Sequence, residues 1–433
     1  MRRPLPTPST LGPASMFRSI QGRRSMPIPV ALVGAMAVAA CSGADAGGRI
    51  VRADSAGIEI VTSPAADRPL AWTIEEEFRL GGDDEGPGSF TSVNYDEVGA
   101  DGAGNLYVLD PQSFRIVVFA PDGTHLRSVG TEGEGPGELR FPVSFAVRAD
   151  GTASVFDIGK GSMVAFDPRG EPLPQVPFSA YTEPGTIRHF ALTPEGWAVA
   201  RGMAGSDEDL RKIELRTWPA PSAEAPAPDT AILTELQLSM PDLADFGCMM
   251  IAFQPLFTPV VQWDTEGSTI VAVDGLAYVV KVFDLDGTFV RSIRRDLPPR
   301  AATEADAMAE AGDGMRMMSD AGPGCEATAA EVVEARGFAA ELPAIRNLLL
   351  APSGEIWVER FVPAARASDT PGPIDVFDAT GAYMGTLPEG TPFPLLLLPH
   401  DRIAFSERDA LDVERLVVAH VERGPAASDG PGG

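Results

Sequence analysis

Cysteine and histidine are scarce in this sequence, three and four among 433 residues. The histidines, His125, His189, His400 and His420, are scattered, with no HExxH and no pair at helical spacing, so a zinc hydrolase has no motif to stand on. No Gly-x-Ser-x-Gly elbow occurs either, and no cofactor is implied. Basic residues are outnumbered 34 to 61, a net charge of −27, so the surface repels polyanions and nucleic acid is excluded as a partner. Helix formers do not dominate: 45 Gly and 40 Pro interrupt the chain too often for a long coiled coil. A hydrophobic content of 44% still suffices to bury a core, which excludes a mostly disordered chain.

The only charges before Cys41 are Arg2, Arg3, Arg18, Arg23 and Arg24, and Val30 to Ala40 is apolar or small. That run is shorter than the roughly twenty residues of a permanent membrane helix, and it reads as the n- and h-regions of a signal peptide. Val38-Ala39-Ala40-Cys41 resembles the lipobox of bacterial lipoproteins, which implies cleavage before Cys41 and lipidation of its thiol. A soluble exported protein with an incidental cysteine is the alternative. Arg23-Arg24 is a weak twin-arginine match, so the general secretory route is preferred, and Met16 or Met26 are alternative starts. Removal of residues 1–40 takes five arginines and leaves −32, which excludes a polybasic membrane contact. The expected membrane contact is the N-terminal lipid only. Ser42 at the second mature position favours the outer membrane, on its periplasmic side or at the cell surface, by resemblance to sorting rules, and 41–56 reads as a small, polar tether.

Beyond the tether a unit recurs. Gly86-Pro87-Gly88 to Asp101-Gly102 aligns with Gly135-Pro136-Gly137 to Asp150-Gly151 at the same separation. Leu106 to Asp110 and Ala153 to Asp157 follow, then alternating runs that end in second turns at Gly123 and Gly170. Period-two apolar runs between Gly, Pro and Asp turns are antiparallel strands joined by hairpins, so each unit is a four-stranded meander. Marker turns at Gly102, Gly151, Gly196, Gly267, Gly354 and Asp401 are spaced 49, 45, 71, 87 and 47 residues, a propeller-blade period twice lengthened. The expected fold is all-β, a six-bladed β-propeller of four-stranded antiparallel blades over 57–421, with a disordered tail at 422–433. An open propeller would leave strand edges unpaired, so N-terminal strands at Gly57–Val61 and Thr73–Arg79 are expected to complete the last blade beside Leu416–His420.

With these repeats, and with Gly133-Glu134-Gly135-Pro136-Gly137-Glu138 after the first unit, the chain resembles bacterial six-bladed β-propeller lipoproteins related to NHL-repeat proteins. The resemblance covers roughly 57–421 and speaks for architecture; propellers host enzymes and binding modules alike. The Gly-rich segment carries Glu132, Glu134 and Glu138, which would repel phosphate, so it reads as an interblade turn. Asp284-Leu285-Asp286-Gly287 lacks the downstream ligands of a calcium loop and reads as a hairpin.

The long spacings predict two insertions, at about 220–256 and 300–341, expected to cap one face of the disc. The second should hold two short helices, at 304–310 and 328–336, the latter opened by a Thr328/Glu331 capping box. Cys248 and Cys325 fall one in each insertion and are expected to form a disulfide, the alternative being two buried thiols. Counting back from the markers to the start of each innermost strand gathers Asn94, Tyr95, Ser144, Arg188, His189, Arg346 and Asn347 at a channel mouth. These residues would take a small anionic or carbohydrate-like ligand, or else the arginines pair with neighbouring acids such as Asp96 and Glu97 and plug the channel. No catalytic residue and no metal ligand set is assigned. Two classes remain: a binding or scaffold module at the cell envelope, whose partner is a small ligand or an envelope protein, and a metal-dependent hydrolase or lyase of the kind found on related lactonase propellers.

Overall fold

The computed structural model describes residues 49–81, 86, 88–91, 93, 97–177, 189–193, 197–206, 210–219, 231–239, 243–246, 250–317, 324–364, 371–408 and 413–424. The alternating runs form antiparallel meanders in chain order: Val98–Ala100 to His125–Val129, Pro142–Val147 to Val176–Pro177, and His189–Leu192 to Ala231–Ser239. Two more follow, Gln262–Glu266 to Phe289–Arg295 and Ile345–Leu350 to Tyr383–Thr386. A last sheet combines Leu396–Leu398, Arg402–Arg408 and Glu414–Glu422 with the N-terminal strand Thr73–Leu80. Apolar side chains of consecutive sheets interlock. Leu109, Ile116 and Val118 of the first sheet pack with Phe145, Val155 and Val164 of the second; Val108 and Val117 pack with Leu416 and Val418 of the last. Each such fully buried side chain contributes about 1.5–3 kcal/mol. The result is an all-β propeller with two short helices among the described residues.

Five of these sheets have the expected four strands; the fourth sheet has six. Its outer edge is extended by Ile58–Ser63, parallel to Phe289–Arg295, and then by Val51–Ser55. The N-terminal segment therefore does not add both its strands to the last sheet. Thr73–Leu80 pairs there with Glu414–Glu422 as the edge argument requires, whereas Ile58–Ser63 covers another sheet. Between them residues 68–70 run along the outer strand of the fifth sheet, with Leu70 N donating to Thr386 O and Thr386 N to Arg68 O, both at 2.8 Å. One strap thus crosses the outer edges of three sheets. It also delivers Asp67 to a buried network in which Arg295 pairs with Asp67 at 3.0 Å and Asp375 at 2.8 Å, while Tyr278 donates to Asp375 at 2.7 Å.

The repeat register needs one correction. The turn glycines of the second and fifth sheets, Gly151 and Gly354, have φ of 90° and 83°, and their N–H groups donate three residues back. In the first sheet the residue with that geometry is Gly104, φ 82°, donating to Asp101 O; it is not Gly102. A left-handed backbone favours glycine, and two glycines two apart made the choice ambiguous in sequence.

The insertions differ from expectation in one respect. Ala231–Ser239 is the outer strand of the third sheet, because two strands of that sheet are ten residues long, Trp197–Ser206 and Leu210–Pro219. Of the described residues, the hairpin Leu243–Asp245/Met250–Ala252 and the following loop remain as insertion. The second insertion holds helices α1 (Glu304–Ala311) and α2 (Ala329–Arg336), and the Thr328/Glu331 capping box is present; a second box, Thr303/Asp306, opens α1. Leu256, Phe257, Ala307, Val333 and Leu342 bury against Phe361, so the two insertions share one small core on the face where the innermost strands begin.

Candidate ligand site at the central channel

In every sheet the innermost strand runs from the capped face to a turn on the opposite face. The ends of these strands, one from each sheet, line a cavity of about 400 Å³: 98–102, 145–147 with Ala149, Phe190 and Ala191 with Thr193, 264–267, Leu349 and Leu350 with Pro352, and 395–399. Most of the wall is aliphatic or aromatic, with Phe145, Phe190 and Leu395 to Leu398. The polar lining consists of Asp101, Thr193, Asp264, Thr265 and Glu266, and no Lys, Arg or His is among the described lining residues.

Asp264 is the distinctive group. It lies within the strand Gln262–Glu266, and its Oδ2 accepts from Leu350 N of the neighbouring innermost strand at 2.7 Å. Its Oδ1 accepts from Thr265 N at 2.8 Å. Burial pushes its carboxyl up to about 7, against the lowering effect of these two N–H donors and with a further push from the Glu266 charge. Each carboxylate oxygen keeps another lone-pair site after these bonds. Asp101 is committed to its own turn, accepting from Ala103 N, Asn105 N and Asn105 Nδ2 at 2.7–3.0 Å. Tyr107 donates to the same carboxylate at 3.3 Å, and burial, then the Asp101 charge, raises its phenol to about 12.

At the other, capped end the structure places the residues drawn from register as follows. Asn94, Tyr95 and Arg188 lie outside the described residues, and His189 is described only as the first backbone position of its strand. With Gly104 as the true marker, the position equivalent to Ser144 in the first sheet is Glu97, not Tyr95. Ser144 is buried and its Oγ has no hydrogen-bond partner. Ser144 and Asn347 each follow a β-bulge at the same place in their strands, where Val143 and Arg346 are the extra residues. A bulge re-aims a side chain, and here Arg346 turns to the cap. Its Nη2 donates to Glu310 Oε2 of α1 at 3.1 Å and to Val362 O, and its guanidinium sits 4.2 Å from the Phe361 ring centre. Asn347 Nδ2 donates to Glu359 Oε2 at 2.7 Å, and Gly372 N donates to Glu359 Oε1 at 3.0 Å. Burial nevertheless raises the Glu359 carboxyl above the usual range.

Asp264, Thr265 and Glu266 are not among the residues that register from the strand starts gathers, because the cavity lies at the strand ends. The signal available was an acidic residue one to three positions before a marker glycine, as in Asp264-Thr265-Glu266-Gly267. Among the described residues no group of three or more His, Cys, Asp or Glu is arranged to hold a metal ion, and no helix is long and apolar enough to cross a membrane. Cys325 is buried in Cys325–Ala327; Cys41 and Cys248 lie outside the described residues.

No protein-family model matches the sequence, and no curated protein matches it. Among solved structures the chain is similar to a conjectured exported protein from Bacteroides fragilis, at 10% identity over 84% of this chain and 100% of that one, with a TM-score of 0.47. It is similar to a member of the DUF4221 family from Bacteroides vulgatus, at 10% identity over 82% and 99%, TM-score 0.44. It is also similar to a gluconolactonase from Xanthomonas campestris, at 11% identity over 75% and 85%, TM-score 0.33.

Proposed function

We propose that this chain is a lipid-anchored, six-bladed propeller that serves as a binding module at the bacterial cell envelope. Its ligand is a neutral, polyhydroxylated molecule of carbohydrate type, taken up at the channel end opposite the cap. The six-stranded sheet is counted as the sixth blade, its four strands from Gln262–Glu266 to Phe289–Arg295 forming the blade proper and the N-terminal pair an added edge. The signal peptide, the lipobox and Cys41 support the anchor and the location. Cys248 is the proposed disulfide partner of Cys325, and packing of α2 against Leu243–Asp245, which brings the two insertions together, supports it.

The observation that carries the ligand class is the lining of the cavity. Carboxylates accept from the hydroxyl groups of a sugar and repel an anion, while Phe145 and Phe190 offer apolar faces. The anionic alternative rests on Arg188 and Arg346, and Arg346 is already engaged by Glu310 and the Val362 carbonyl. A metal-dependent hydrolase or lyase is the alternative reading and would need a convergent donor set; Asn94 and Asp96, which could contribute to one, lie outside the described residues.

Calorimetric titration of the mature protein at pH 8 with neutral mono- and disaccharides, and with small carboxylates and phosphate, tests the reading. A neutral sugar should bind, and Asp264→Asn with Glu266→Gln should weaken it about tenfold or more, as hydrogen bonds to charged groups are worth roughly 1.5–3 kcal/mol. Binding confined to anions, and abolished by Arg188→Ala, would return the site to the capped end.

A further inference from the structure

The exposed large apolar side chains are unevenly distributed. Leu243, Met250, Val260, Met308 and Phe338 belong to the insertions or their junction with the fourth sheet, and Phe141 and Ile158 lie in loops of the second sheet on the same face. The rest, Val51, Leu126, Leu173 and Ile232, are on outer strands or beside them at the rim, and none of the described turns on the opposite face carries one. Leu243 and Met250, opposite ends of one hairpin, are 62% and 61% exposed. Single apolar residues at a surface are ordinary; that seven of the eleven among the described residues gather on one face, with the other four at the rim, is what calls for an explanation.

The N-terminal strap supplies it. Val51 pairs with Thr62, and Thr62 with Arg294, one residue before the end of the strand from which the second insertion departs. The chain therefore enters the propeller at the rim, on the capped side. Cys41 precedes Val51 by ten residues, a length that spans at most about 35 Å however it runs. From these two facts, and resting on the lipid-anchor reading above, we infer that the capped face is the membrane-facing surface of the protein. Leu243, Met250 and Phe338 then enter the interface of the bilayer that holds the acyl chains, and the open channel end points away from it. An apolar surface of this kind sits at the headgroup boundary without spanning the membrane. The acidic balance of the chain gives such contact no electrostatic help, so it belongs to zwitterionic lipid and should persist in salt.

The test attaches the mature chain through Cys41 to phosphatidylethanolamine–phosphatidylcholine vesicles carrying a thiol-reactive lipid. The anchor is then supplied chemically, and failure of natural lipidation, read separately by palmitate labelling of wild type and Cys41→Ala in cells, leaves this experiment intact. Hydrogen exchange is compared between the vesicle-bound protein and the same protein with its Cys41 thiol capped in solution. Amides of 243–261 and 300–342 should slow about tenfold or more on vesicles, while 101–105, 148–152 and 267–268 stay unchanged. Leu243→Glu with Met250→Glu, both at exposed positions, should remove that protection without changing exchange in the blades. Protection at the open-end turns, no protection anywhere, or protection in native envelopes but not on pure lipid would each overturn the inference, the last assigning the face to a protein.

Discussion

The two ends of the channel use polar groups in opposite ways. On the capped side Arg346, Asn347 and, at the rim, Arg295 turn inward on the protein: Arg346 on Glu310, Asn347 on Glu359, Arg295 on Asp375 and Asp67. At the open end Asp264 lies on the wall of a cavity with its carboxyl raised to about 7. The comparison teaches that charge in a propeller is read by where the strand delivers it. Arg346 resembles a ligand-binding residue in sequence and becomes a tie between blade and cap; Asp264 resembles a turn acid and becomes the channel's titratable group.

The comparison breaks most decisively if removal of a capped-end group is tolerated. Asp375→Ala leaves the fully buried Arg295 guanidinium without its closest carboxylate, and loss of one partner from a buried pair costs about 3–5 kcal/mol. Denaturant unfolding should show that loss, while sugar binding per folded molecule stays unchanged.

Asp264→Asn at the open end should act through pH. The folded carboxyl lies above its ordinary value, so between that value and about 7 the folded protein holds a proton that the unfolded chain has released. Stability is therefore complete at acid pH, declines as pH rises toward 7 and is flat beyond it. The variant should lack this decline and gain roughly 2–3 kcal/mol on wild type between pH 5 and pH 8, followed by urea denaturation at both values. An unaltered pH dependence would show that Asp264 titrates as an ordinary exposed acid.

The smallest effect sharpens the boundary between cap and blades. Thr328→Ala removes the N-cap of α2 and should cost about 1 kcal/mol, a typical cap. Hydrogen exchange should show it in α2 and its neighbours, with the first and second sheets unaffected.

Much of the fold was legible because a propeller repeats its turns. Alternation in Arg115–Phe119, Ser162–Phe166 and Ile374–Phe377 shows the strands, and Thr328 with Glu331 shows the start of α2. What failed did so for local reasons: Gly102 and Gly104 are equally good turn residues on paper, and ten-residue strands in the third sheet look like an insertion when a fixed period is assumed. The path of Ile58–Ser63 could not be read at all, since an edge strand's partner is set by which outer edge lies within reach of the chain.

The sequence by itself determined the meanders, their order, the helices of the cap and the excess of negative charge, because these depend on neighbours a few residues apart. Only the tertiary structure decided that Asp67 reaches Arg295, that Asp264 meets Leu350 and that Arg346 is spent on Glu310. Those contacts join residues 36 to 228 positions apart, and a ring brings them together through the packing of whole sheets, for which no local pattern of side chains is a substitute.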